Sequence, residues 1–107
     1  MKLAGIILAA GESRRMGSPK PLLEYEGERF IDRLILTLSA VCSPVIVVLG
    51  WESQTIRAGM RCAAMARTVI NPDYQRGQLS SLQCGLAVVP AEACGVMFTP
   101  VDHPAVL

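Results

Sequence analysis

LAAGESRRMGSPK, Leu8 to Lys20, is the stretch whose reading decides the fold. It begins inside an apolar run, stops at two alanines and a glycine, and then adds two arginines, a second glycine and a lysine. The run it closes, Gly5 to Ala9, is continuous and isoleucine-rich, as expected of a parallel strand covered on both faces. In open α/β sheets ligands bind beyond the carboxyl ends of the strands, where the strand order reverses. A loop placed there with Gly11 and Gly17 can take positive φ angles and bring backbone N–H groups close to an anion. Arg15 and Lys20 add positive charge, so the loop is suited to phosphates.

Outward from this loop, strand and helix patterns alternate. From Glu28, ERFIDRLILTLSAVC places Phe30, Ile31, Leu34, Ile35, Leu38 and Val41 at helical spacing, and the pattern predicts an amphipathic helix that stops before Pro44. VIVVLG, Val45 to Gly50, is a β-branched second strand ended by glycine. A short helix follows from Glu52, then a weaker strand over Ala66 to Ile70 that is closed by the turn pair Asn71-Pro72. Gln78 to Val88 reads as a helix, and Gly95 to Thr99 as a fourth strand running into TPVDHP. Strands alternating with helices in this way predict right-handed crossovers and a Rossmann-like, doubly wound, mostly parallel sheet: a three-layer α/β/α fold.

The whole-chain figures agree with one ordinary globular domain: 107 residues, 51% hydrophobic, 18% charged, formal net charge +1. Nothing in that balance points to nucleic acid or to an anionic membrane. The apolar N-terminus is too short for a signal peptide and meets Arg14, Arg15 and Lys20 where a cleavage site would fall. Cys42, Cys62, Cys84 and Cys94 form no Cys-x-x-Cys pair, so zinc and redox-motif readings fail on spacing. They read as small buried thiols of a protein in a reducing cytoplasm.

Two common phosphate loops are excluded by inspection. Gly11 and Gly17 stand one residue too far apart for a Walker loop, and Ser18 rather than lysine follows the second glycine. The dinucleotide fingerprint lacks its glycine at position 13. What fits is a family signature. LAAGESRRMGSPK closely resembles the L-A-(A/G)-G-x-S-x-R-M-G-x-x-K motif of the MobA-like nucleoside triphosphate transferases, most like their molybdopterin cytidylyltransferase branch. NPDYQRGQLSSLQCGL and TPVDHP match in the expected order, which carries the resemblance through the whole chain.

The resemblance implies a fold of the nucleotide-diphospho-sugar transferase type and an Mg²⁺-dependent nucleotidyl transfer. Leu8, Ala9, Ala10 and Gly11 would lie against the nucleotide, with Arg15 and Lys20 on its phosphates. Gly77, Ser80 and Ser81 would lie near the base and ribose. Asp102 would hold Mg²⁺, which suits a hard carboxylate at a strand end. Arg15, Lys20 and Asp102 form the implied catalytic set. His103 departs from the branch, which commonly has glutamine between the aspartate and the proline. Blander readings stand beside these: Arg14 as a solvated cation, Asp102 as a turn residue between prolines, His103 as a local hydrogen-bonder, and Trp51 and Tyr74 as packing or rim residues.

The substrate so implied is a nucleoside triphosphate, CTP in preference to GTP because of Ala10 and QLSSL, with a phosphorylated acceptor such as molybdopterin. The alternatives are a guanylyltransferase, a sugar-phosphate or alcohol-phosphate nucleotidyltransferase, and a non-catalytic nucleotide-binding module. Members of the family are considerably longer, so residues 1–107 are expected to be the N-terminal nucleotide-binding portion, with the acceptor-binding portion and a second metal-binding aspartate beyond Leu107. Strand four would then be an open edge, and the chain alone would self-associate and show little activity.

Overall fold

A computed structural model describes residues 3–10, 14–15, 18–19, 24–25, 28–51, 53–61 and 63–100. Its centre is two strands with almost no polar atoms in their side chains. β1 (Leu3–Ala9) is buried from Ala4 onward and β6 (Val45–Leu49) along its whole length. They pair in parallel from Gly5↔Val45 to Ala9↔Leu49. β7 (Arg67–Ile70) flanks β6 through Ile46↔Arg67 to Leu49↔Ile70, and β8 (Gly95–Pro100) flanks β1 through Leu3↔Gly95 to Leu8↔Pro100. The sheet order is β7-β6-β1-β8, all parallel. The strand directions and their spacing along the chain agree with the doubly wound expectation.

The alternation of side chains along each strand divides the core in two. On one face Ile7, Ala9, Val45, Val47 and Leu49 pack against α1 (Phe30–Ser39) and α2 (Ser53–Gly59), which contribute Ile31, Leu34, Ile35, Leu38 and Ile56. On the other face Ile6, Leu8, Ala10, Ile46 and Val48 meet α3 (Gln78–Leu86) through Leu82 and Cys84. Each of the fully buried Ile and Val side chains contributes about 1.5–3 kcal/mol of transfer free energy. α3 comes close because Gly85 faces the sheet: a Cβ there would stand 3.0 Å from Ile6 Cγ2 and 3.1 Å from Val48 Cγ2.

One buried carboxylate belongs to this scaffold. Asp32, in the first turn of α1, is 3% exposed and accepts the Arg61 backbone N–H at 2.9 and 3.1 Å with its two oxygens. That tie fixes the segment after α2 against the start of α1, and the first turn of a helix favours a negative charge.

The elements differ from the sequence pattern at several points. Glu28–Arg29 is not helical but is β5, paired antiparallel with β4 (Glu24–Tyr25), so α1 starts at Phe30. The polar loop contains a second small hairpin, β2 (Arg14–Arg15) with β3 (Ser18–Pro19). α1 and α3 end at Ser39 and Leu86, short of Val41 and Val88, and each closes in a turn: the Cys42 N–H reaches Leu38 O and the Val88 N–H reaches Gly85 O. No helix among the described residues is long and apolar enough to cross a membrane.

Candidate functional site

The strand order creates the site. From β1 the chain steps outward to β6 and β7, then returns to the other side of β1 as β8, so the order reverses between β1 and β8. The crevice at that reversal is where this architecture binds ligands. Ala9 closes β1 there, and Ala10 is buried with its carbonyl accepting the Trp51 N–H at 2.9 Å. Arg15 lies in β2 opposite Ser18, so the chain after β1 folds back on itself in a small hairpin. Leu8 is one step inside: its side chain is in the α3-side core and its register partner is Pro100. Asp102 follows Pro100 by two residues. Gly11, Lys20, Asp102 and His103 lie outside the described residues.

The second half of the site comes from the segment between β7 and α3. The Asn71 N–H donates to Leu49 O at 2.7 Å, extending the β6–β7 ladder by one residue. The chain then forms a 3₁₀ turn at Tyr74–Arg76 and enters α3 at Gly77. Gly77 has φ +101°, and nothing lies within 4 Å of where its Cβ would be. Its requirement for glycine is therefore conformational rather than steric. The Gly77 N–H donates to Tyr74 O at 3.2 Å.

Tyr74 packs on Gly50, beside Ala10. A continuous path thus runs from Ala10 through Gly50 and Tyr74 to Gly77. It brings Ala9, Ala10, Gly77, Ser80 and Ser81, far apart in sequence, to one edge of the sheet. Ser80 is half-buried, with its hydroxyl donating to Gly77 O at 2.8 Å, and Ser81 is 2% exposed. Both serine oxygens accept from the Asn71 amide at 3.0 Å. Asn71 and Gly50 were not singled out as site residues from the sequence. The available signals were an Asn-Pro pair at a strand's carboxyl end and a glycine ending the second strand.

Cys42 and Cys94 stand apart from this edge, whereas the Cys84 thiol donates to Ile70 O at 3.7 Å, one residue before Asn71. Cys42 is buried beside Gly5 and its thiol touches Met97 Sδ at 3.8 Å, and burial raises its pKa above the ordinary value. Cys84 is half-buried, whereas Cys94 is exposed, a departure from the buried thiol expected. Cys62 lies outside the described residues. Among the described residues no three His, Cys, Asp or Glu side chains gather into a metal-binding group.

Comparison with known proteins bears on what such a crevice serves. The chain is 33% identical over 89 residues to the molybdenum cofactor cytidylyltransferase of Escherichia coli (strain K12), covering 83% of this chain and 46% of that protein. It is 27% identical over 103 residues to a "Probable molybdenum cofactor guanylyltransferase" of Geobacillus sp. (strain WCH70), covering 96% of this chain and 51% of that protein. The chain therefore spans about half the length of the curated relatives it matches. Among solved structures, the manganese complex of Rv0371C from Mycobacterium tuberculosis H37Rv superposes with a TM-score of 0.75 at 27% identity, over 97% of this chain and 52% of that one. Residues 5–106 match the model of the MobA-like NTP transferase domain, and the chain belongs to that family of nucleotidyltransferases.

Proposed function

We propose that this chain is the nucleotide-binding portion of an Mg²⁺-dependent cytidylyltransferase, which moves CMP from CTP to a phosphorylated acceptor of the molybdopterin type. The observation that carries the reading is the glycine- and cation-containing loop leaving β1 at the reversal of strand order. In the reaction, an oxygen of the acceptor phosphate attacks the α-phosphorus in line, the bond to the β-phosphate breaks, and pyrophosphate leaves. No protein nucleophile is required, so the protein's work is positioning and charge neutralisation.

The Ala9–Gly11 backbone cradles the nucleotide, Arg15 and Lys20 hold its phosphates, and Gly77, Ser80 and Ser81 border the base and ribose. Asp102 is the residue that would hold a divalent cation, which when bound would offset phosphate charge. Its carboxylate suits a hard ion, and the manganese complex of the Mycobacterium tuberculosis neighbour is consistent with divalent-metal use. Residues 1–107 carry this nucleotide half in the cytoplasm. The acceptor half corresponds to the part of the relatives that the chain does not span.

CTP is favoured by Ala10 and the QLSSL segment. The guanylyltransferase reading keeps support from the Geobacillus relative, which aligns with more of the chain. A thermal-shift panel of CTP, GTP, UTP and ATP with and without Mg²⁺ separates the two. The expected result is stabilisation greatest with CTP and dependent on Mg²⁺. A larger shift with GTP would select the guanylyl alternative, and binding by a longer protein without pyrophosphate release would indicate an accessory module.

A further inference from the structure

Asn71 spends its two amide hydrogens on the start of α3 and its oxygen on the turn before it. It is 4% exposed. Its amide has two hydrogens, and one goes to Ser80 Oγ and the other to Ser81 Oγ, each at 3.0 Å. Its Oδ1 accepts the Asp73 backbone N–H at 2.9 Å. Because a backbone N–H can only donate, that last bond fixes which end of the amide is oxygen, and so fixes the two serines as acceptors toward Asn71.

The consequence falls on Ser80. Its oxygen accepts from Asn71, and its own hydrogen goes to Gly77 O at 2.8 Å, with Asp73 O farther away at 3.3 Å. A hydroxyl has one hydrogen and two lone pairs. What remains of Ser80, half-buried at the carboxyl edge of the sheet, is one lone pair and no proton.

We infer that Asn71 is a positioning residue that pins Ser80 as an acceptor-only hydroxyl, so that this edge selects nucleotides presenting a hydrogen-bond donor to it. The inference rests on the nucleotide reading given above. The donor is an N–H or O–H of the nucleotide, either the exocyclic amine of cytosine or a ribose hydroxyl. A base that offers a carbonyl at the same place would meet a lone pair, and the pinned hydrogen could not turn to satisfy it.

The test is calorimetric titration of CTP, UTP and 2′,3′-dideoxy-CTP with Mg²⁺ into the chain and into Ser80→Ala, Asn71→Asp and the double variant, with Tm recorded for each. Asn71→Asp keeps the side chain's size and an acceptor for the Asp73 N–H but removes both donors. Its added charge repels the three triphosphates alike, so the readout is the ratio of affinities rather than any one of them.

CTP is expected to bind about tenfold more tightly than one of its two analogues, the scale of one hydrogen bond lost from a desolvated site. UTP falling behind identifies the base amine as the donor, and the dideoxy analogue falling behind identifies the ribose. Ser80→Ala should erase that ratio, Asn71→Asp should lower it toward the same value, and the double variant should lose no more than Ser80→Ala alone. Should Asn71→Asp not fold, Asn71→Ser serves, since a short hydroxyl can still accept from the Asp73 N–H. A folded Asn71 variant that keeps the ratio overturns the assignment and leaves the nucleotide reading standing. So does equal affinity of all three ligands for the unmodified chain. Failure of the unmodified chain to bind any triphosphate removes the nucleotide reading, and the assignment with it.

Discussion

Tyr74 lies directly on Gly50. A Cβ built on Gly50 would stand 2.5 Å from Tyr74 Cβ, 2.9 Å from its Cγ and 3.1 Å from Ala10 Cβ. The contact joins the carboxyl end of β6 to the 3₁₀ turn that leads into α3, and it holds the two halves of the candidate site together.

Because Tyr74 Cβ is carried rigidly by its backbone, no rotamer change relieves that approach. Gly50→Ala should displace the turn and cost about 1–3 kcal/mol, as overpacking of a filled interior does. For a domain of this size that corresponds to a lower Tm by about 4–8 °C per kcal/mol. Calorimetric melting checks the stability, and nucleotide titration should show weaker binding in the same variant. An unchanged Tm would mean that Tyr74 is not held where the contact puts it.

Asp32→Ala removes both acceptors of the Arg61 N–H from a buried position. A hydrogen bond to a charged acceptor contributes about 1.5–3 kcal/mol, and urea denaturation should register a loss of up to that order, because the exposed Arg61 can turn its N–H to water. Asp32→Asn, which retains one acceptor, should fall between. Amide exchange at Arg61 should quicken in the alanine variant, whereas the sheet amides should keep their order of protection.

Lys20 and Asp102 are proposed to act on one triphosphate, and their variants should differ in kind. Lys20→Ala should weaken all triphosphates alike by roughly one to two decades, the scale of a charge-assisted contact. Asp102→Ala should abolish the Mg²⁺-dependent part of binding and leave a metal-independent remainder. Calorimetry with MgCTP decides: affinity equal to that of the unmodified chain in either variant would remove that residue from the site.

Burial holds the Cys42 thiol above its ordinary value of 9.0. Below that value both the folded and unfolded chains keep the proton, and stability does not depend on it. Above it the unfolded chain loses the proton first, so stability is lost as pH rises from the unfolded toward the folded value. The unfolding free energy should therefore fall more steeply as pH rises above about 9 in the unmodified chain than in Cys42→Ala. Iodoacetamide should label Cys94 in the native state and Cys42 only on unfolding.

β8 is an edge of the described sheet, with Phe98 57% and Met97 43% exposed. Exposed edges with apolar side chains invite pairing with another chain. Residues 1–107 should show a sedimentation coefficient that rises with concentration, and Phe98→Lys should reduce that rise. A monomer at all concentrations would show that the edge is protected.

Much of the scaffold is legible in the sequence because its signals are local. β1 and β6 are unbroken apolar runs, and a strand with both faces covered needs no alternation to be recognised. α1 shows Ile31, Leu34, Ile35 and Leu38 at helical spacing, and these four side chains are buried. The loop after β1 advertises phosphate chemistry by residue type, and its motif carries the family. Glu28–Arg29 misleads for the opposite reason: its helix-compatible residues are claimed by pairing with Glu24–Tyr25, a contact that leaves no periodic trace.

Residue order along the chain thus determined the four strands of the main sheet, the helices that cover it and the family, but not the two small hairpins. Tertiary structure alone decided what those elements do to one another. It set β8 beside β1, so that the chain's first loop stands at the reversal of strand order. It brought Tyr74 onto Gly50, which makes glycine necessary where the sequence shows only a strand end. It also closed the Asn71 amide onto Ser80 and Ser81, nine and ten residues later, turning an unremarkable Asn-Pro turn into the support of the site. The physical reason is the same in each case: hydrophobic periodicity is a property of one element, whereas close approach and hydrogen-bond direction exist only between elements once they are packed.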